Sequence, residues 1–204
     1  MAVNTNIVVL SRTLMSGGVC VGALDVANNK MLRLLDDKAH KLLPDAPYQV
    51  GQCYAIKYAQ HYNIRAPHTE DAAVYEFNYL DDLEEDDFDE LISSLCNDNL
   101  SLEELFDGKL LWDGSAHMEP GDTTDYSVQI ATLDCDLTKS GDYFESFSWG
   151  APTKRIKYVG ARPLADLPNK LTAGTRIRFS LARFWDKDKD GNLRAYLQLS
   201  GIYE

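Results

Sequence analysis

The stretch Asp81–Glu90 carries eight carboxylates in ten residues. It belongs to a wider bias. From Glu70 to Glu145 there are 23 acidic residues and two basic ones, Lys109 and Lys139. The flanks reverse the sign, with residues 1–69 at +3 and residues 146–204 at +6. An acidic middle between two mildly basic ends constrains the organisation more than the net charge of -12 does. Alone, the acidic block would be disordered. It runs on into Phe88, Leu91, Ile92 and Leu95, whose spacing marks one face of a helix. Ser101 and Glu104 then resemble a capping box, with Leu102, Leu105 and Phe106 following and Gly108 as a stop. The spacing predicts two short helices with charged outer faces.

The flanks read as strands. Ile7–Leu10 is a continuous apolar run, Val19–Leu24 follows the Gly17-Gly18 turn, and Met31–Leu35 returns after a hairpin centred on Asn28-Asn29. Three short strands joined by tight turns favour an antiparallel meander or small barrel over a βαβ unit. Gln52–Tyr58 alternates, and Val74–Tyr79 reads as a short strand or a lead-in to the helix. Beyond the acidic middle, Ser127–Leu133, Lys154–Val159, Thr175–Leu181 and Arg194–Leu199 alternate in the same way. In Thr175–Leu181 the pattern sets Ile177, Phe179 and Leu181 against Arg176, Arg178 and Ser180.

With 45% apolar residues in 204, a packed core is available. The four cysteines form no CxxC pair, the N-terminus lacks a signal-peptide pattern, and no apolar run is long enough to span a membrane. These features lead to the expectation of a cytoplasmic protein with reduced thiols and no membrane partner. No cofactor motif is present: GxxxxGK[ST], GxGxxG and HExxH are all missing.

Other motifs read more readily as structure than as chemistry. Asp186, Asp188, Asp190 and Gly191 match the opening of a calcium loop, but Leu197 stands where the bidentate Glu belongs, so a hairpin turn is expected. His61 and His68 lie near Glu70 and Asp71 in a polar loop, where a metal is weighed against a plain surface loop. Asp134 and Asp136 could share a strand face, in a region acidic throughout. Ser16-Gly17-Gly18, with Arg12 nearby, offers backbone amides to an anion, against the simpler reading of a tight turn. No nucleophile–base pair or metal set stands out, which favours a noncatalytic protein while leaving catalysis open.

The basic residues carry the pattern with most functional colour. Lys154, Arg155 and Lys157 cluster, followed by Arg176, Arg178 and Arg183, with Trp185 and Tyr196 interleaved. Basic groups beside exposed aromatics suit single-stranded nucleic acid. The competing reading is that these cations neutralise the acidic middle.

Three segments resemble a known family. They are Val9–Gly22 with Met31–Leu34, then His68–Asp71, then Phe179–Trp185 with the closing run Arg194-Ala-Tyr-Leu-Gln-Leu-Ser-Gly-Ile-Tyr203. In that order they resemble the bacterial dual OB-containing domain family. Val19, Ala195 and Ile202 depart from its usual Arg, Cys and Trp. The resemblance implies a mainly β chain of two OB-like small antiparallel β-barrels with an acidic helical insertion between them. The expected division is an N-terminal OB-like domain over 1–80, an acidic helical segment over 81–120 and a C-terminal OB-like domain over 121–204. Two function classes follow. One is a noncatalytic binding module for short single-stranded nucleic acid or a nucleotide, with Arg12, Lys154, Arg155, Lys157, Arg176, Arg178, Arg183, Trp185 and Tyr196 as its ligand-binding set. The alternative is an acidic protein-interaction or regulatory subunit that docks a basic protein partner.

Overall fold

A computed structural model describes residues 2–113, 115–147, 149–150, 152–187 and 189–203. The chain splits into two compact units, Met1–Leu91 and Ile92–Glu204. Both are β units of the OB-like kind expected, and the described residues form one α-helix, which lies between the two sheets in sequence order.

In the first unit, β1 (Val3–Met15), β2 (Gly18–Asp25), β3 (Lys30–Leu35), β4 (Gln52–Gln60) and β5 (Asp71–Asp82) close into a barrel in the order β1-β2-β3-β5-β4. Neighbours are antiparallel except β3 and β5, which run parallel. Alternation fills the interior: Ile7, Val9, Val21, Ala23, Leu34 and Ile56 meet inside it. The segment between β3 and β4 plugs the barrel with Leu42 and Tyr48. Val19 donates its N–H to the Leu42 carbonyl at 3.0 Å. That close approach is why Gly18 must be glycine, since a Cβ there would sit 2.5 Å from the Leu42 oxygen.

The strand expected over Val74–Tyr79 is longer, running from Asp71 to Asp82. It pairs with β3 only through Asp71–Ala73 and with β4 along its whole length. Its last eight residues, Tyr75–Asp82, are all exposed. The first carboxylates of the acidic block therefore end a strand.

Helix α1 (Glu85–Ser94) straddles the division between the units. Glu85, Asp86 and Asp87 fill its first turn, where the helix dipole favours negative charge. Ile92 is fully buried, while Phe88, Leu91 and Leu95 are half-buried.

The second unit is a nine-stranded sheet, curled into a half-barrel. Its strands are β6 (Cys96–Leu100), β7 (His117–Met118), β8 (Val128–Leu133), β9 (Leu137–Ser140), β10 (Tyr143–Ser146), β11 (Lys154–Tyr158), β12 (Lys170–Leu171), β13 (Arg176–Leu181) and β14 (Ala195–Tyr203). The order is β12-β9-β10-β11-β14-β13-β8-β6, with β7 pairing β14 off that path. Phe106, Phe144, Phe179, Leu133 and Leu199 lie at the centre of its core.

The second helix expected after Ser101 is not an α-helix. Ser101 gives its N–H and hydroxyl to Glu104, each at 2.8 Å, but the chain then makes a 3-10 turn over Leu105–Gly108. Phe106 and Asp107 are left-handed there, with φ of 53° and 59°. Phe106 is fully buried and its N–H donates to the Gln129 side chain at 2.8 Å, so tertiary packing overrides the local helix signal.

Candidate functional site

The basic–aromatic set is only partly brought together. On β11, Ile156 and Tyr158 point into the core, so Arg155 and Lys157 point outward. Tyr143 of β10 lies opposite Lys157, and Lys157 lies opposite Gln198 of β14. Tyr196, two residues before Gln198, shares that outer face and pairs with His117 of β7, but it is buried rather than exposed as expected, because His117, Trp185 and Lys187 pack over its ring. Leu197 and Leu199 alternate inward.

Two cation-on-ring contacts sit on this face. The Arg155 guanidinium lies 3.9 Å from the centre of the Tyr143 ring. Lys187 Nζ lies 4.6 Å from the centre of the Tyr196 ring. Trp185, half exposed, packs edge-on against Tyr196 at 6.3 Å, and the His117 ring lies 5.7 Å away on that same tyrosine. His117 is buried, with Nδ1 3.0 Å from the Ser115 carbonyl oxygen. Lys157 is half exposed and reaches Asp142 at 3.4 Å.

Other members of the expected set are committed to the fold. Lys154 pairs with Glu103 and lies 5.2 Å from the Trp112 ring, and its burial pushes the ammonium pKa down. Arg176 donates to Ser93 Oγ, at the end of α1. Arg178 does not share an open solvent face with Arg176. It is 6% exposed and donates to Ser200 Oγ at 2.8 Å, while the Ser200 hydroxyl donates to the Arg178 carbonyl at 3.0 Å, at a bulge where Ser200 falls out of the pairing register with β13. At this position the face of β13 is covered, so the guanidinium is bonded inside the protein instead of being solvated. Arg183 is exposed on the segment after β13. Arg12 belongs to the first unit, where its guanidinium donates to the carbonyls of Pro44, Ala46 and Tyr48 at 2.6, 2.8 and 2.7 Å. That bonding anchors the plug segment. The neighbouring Ser16-Gly17-Gly18 is a tight turn, with Gly17 at φ 68° and the Ser16 carbonyl held by Lys41.

The carboxylates of the Asp186–Asn192 turn are likewise used by the turn itself. Asp186 accepts the N–H groups of Asp190 and Gly191, both at 3.1 Å. Asp190 grips the Arg194 guanidinium with both oxygens, a pairing that holds its pKa well below the usual carboxylate range. Asp188 lies outside the described residues. Among the described residues, no three His, Cys, Asp or Glu side chains converge as metal ligands. No helix of the described residues is long and apolar enough to cross a membrane.

Sequence reasoning missed four relevant side chains. Tyr143 and Lys187 supply half of each cation–ring contact. Phe147 and Trp149, at 75% and 96% exposed, stand in the connection between β10 and β11, beside Lys154 and Arg155. Their signal was present as two aromatics beside Gly150 with no strand or helix period to bury them.

The closing run that carries the family resemblance does mainly structural work. Leu197 and Leu199 fill the core, and Ser200-Gly201 shapes the bulge that receives Arg178. A Cβ on Gly201 would lie 3.4 Å from the Arg178 Cβ. Tyr203 is half-buried, and its burial raises the phenol pKa to about 12.

No family model matches the chain, and no curated protein matches it. Among solved structures it is similar to a murine DNA-binding protein bound with double-stranded DNA. That likeness covers 97% of this chain and 90% of the other, at a TM-score of 0.30 and 8% identity. At that level it fixes neither fold nor ligand.

Proposed function

We propose that this chain is a noncatalytic binding module of the dual OB-containing kind, and that the outer face of its second sheet takes a short single-stranded nucleic acid or a nucleotide. The observation that carries this reading is the pair of cation-on-ring contacts, Arg155 on Tyr143 and Lys187 on Tyr196, on the outer face of one sheet. Bases stack on aromatic and guanidinium planes, and the guanidinium fork donates to phosphate. The Arg155 guanidinium, held over the Tyr143 ring, carries the planar donor fork that suits a phosphate. Phe147 and Trp149 add exposed rings in the connection between β10 and β11. The net charge of -12 opposes a long polyanion, so the ligand is short.

The test is fluorescence anisotropy with short single-stranded DNA, RNA and free nucleotides at about 50 mM salt, where counterion release favours binding. Binding should weaken as salt rises, and Arg155→Glu with Tyr143→Ala should reduce affinity at least about tenfold, or 1.4 kcal/mol. Failure of every probe to bind below about 100 μM removes the reading.

A further inference from the structure

The barrel closes through Asp71–Ala73 of β5, but the strand runs on past that seam. Past Ala73, no described residue pairs with it on the side opposite β4, so the backbone from Val74 to Asp81 forms an open sheet edge. Proteins usually blunt such an edge with charge, bulges or a cover. This one has bulges between its Lys57/Tyr58 and Cys53/Tyr54 pairings with β4, and it carries Glu76, Asp81 and Asp82. It also leaves Tyr75, Phe77, Tyr79 and Leu80 between 45% and 53% exposed, which blunting does not explain.

Two of those aromatics are organised. Phe77 lies 5.4 Å from the buried Tyr48 ring and 6.4 Å from the buried Tyr54 ring. Tyr79 lies 5.7 Å from Tyr54. The buried tyrosines form a floor that fixes the half-open rings beside an unused row of backbone donors and acceptors. Glu84, Glu85, Asp86 and Asp87 follow directly on the chain and are all exposed.

We propose that the β5 edge docks a basic, extended peptide segment of a partner protein, which adds to the sheet as a strand. Main-chain hydrogen bonds supply the ladder, Phe77 and Tyr79 receive the stems and cations of Arg or Lys, and the flanking carboxylates set the charge preference. Charge decides between occupants. A second copy would set the same acidic edge against itself, and like charges across a strand pair are destabilising. A basic strand meets the opposite sign along the same length. This site lies in the first unit and stands apart from the nucleic-acid reading of the second.

The test uses the full chain and a fluorescein-labelled peptide of about ten residues alternating Arg and Val, long enough to line the open edge. It should bind with Kd below about 100 μM at about 50 mM salt. Hydrogen exchange should then slow at those amides of Tyr75–Asp81 that do not already face β4. The same peptide N-methylated at alternate residues keeps its charge but cannot form the ladder, and should bind at least about tenfold more weakly. The double variants Phe77→Ala/Tyr79→Ala and Asp81→Lys/Asp82→Lys, all at exposed positions, should each show a similar loss. Arg155→Glu should leave the peptide titration unchanged, and Phe77→Ala/Tyr79→Ala should leave oligonucleotide binding unchanged. Equal binding by the N-methylated peptide would reduce the contact to bulk electrostatics and overturn the proposal. So would indifference to either double variant, or self-association of the chain through this edge in sedimentation.

Discussion

Asp25 is fully buried in the first unit, yet it carries a carboxylate with four donors around it. Its Oδ1 accepts from the Thr5 hydroxyl at 2.6 Å and the Asn28 N–H at 3.3 Å. Its Oδ2 accepts from Asn28 Nδ2 at 2.8 Å and the Tyr58 hydroxyl at 3.1 Å. Burial pushes this carboxyl pKa up, but the hydrogen bonds from Thr5, Asn28 and Tyr58 outweigh it and leave the value lowered. In Asp25→Ala the buried Tyr58 hydroxyl loses its acceptor, which costs about 1–3 kcal/mol. Thr5 and Asn28 sit nearer the surface and turn to water, each losing about 1 kcal/mol. The sum is about 3–5 kcal/mol at pH 7. In a Tyr58→Phe background the first part disappears, so the coupling between the two sites should be about 1–3 kcal/mol. Native-state hydrogen exchange at β1 and β2 amides reads the first unit separately, which matters because a two-unit chain need not unfold as one. A lowered folded pKa gives stabilisation that is present above the unfolded value near 3.9 and is lost as pH falls through the folded value. The cost of Asp25→Ala should therefore shrink below about pH 4. A cost under about 1 kcal/mol at pH 7, or one that grows on acidification, would refute this account of the site.

Ile92→Ala should cost about 2–5 kcal/mol by denaturant titration, because that side chain is fully buried, while exposed Glu84→Gln should change stability by less than about 0.5 kcal/mol. Equal small effects from both would mean that α1 is not anchored through Ile92. Gly18→Ala should destabilise the first unit by about 1–3 kcal/mol and speed exchange of the Val19 amide, since its Cβ collides with the Leu42 carbonyl. A Gly18→Ala protein as stable as the original would show that the plug segment moves aside freely.

Legibility in the sequence followed burial on one face. Wherever a strand had one buried face, as in Gln52–Tyr58 or Thr175–Leu181, alternation placed Tyr54, Ile56, Ile177 and Phe179 on the core side, where they lie. Arg178 broke the rule, because its position on the alternate face of β13 is covered beside Ser200, while Arg176 and Ser180 on the same face stay partly exposed. Cys96–Leu100, Cys-Asn-Asp-Asn-Leu, carries no strand pattern. It becomes a strand only because β8 offers a parallel edge and Thr132 Oγ1 accepts the Asn99 N–H at 2.7 Å. No local propensity could announce that. The candidate site was half legible. Arg155, Lys157, Trp185 and Tyr196 were named from composition, but their ring and cation partners Tyr143 and Lys187 depend on pairings that bring distant segments together.

Strand β14 is the latest in sequence and one of the most central in space, lying between β11 and β13 and also pairing β7. The two halves of the second sheet therefore have no common strand until residues 195–203 have been synthesised. During translation the first unit, whose ladder is complete by Asp82, can close while the second still waits with Phe144 and Phe179 uncovered. Vectorial synthesis thus builds a delay into the second unit. In that interval it is open to chaperones and to aggregation, and a stop codon between the end of β5 and Ala195 would leave the barrel joined to a second unit without its central strand.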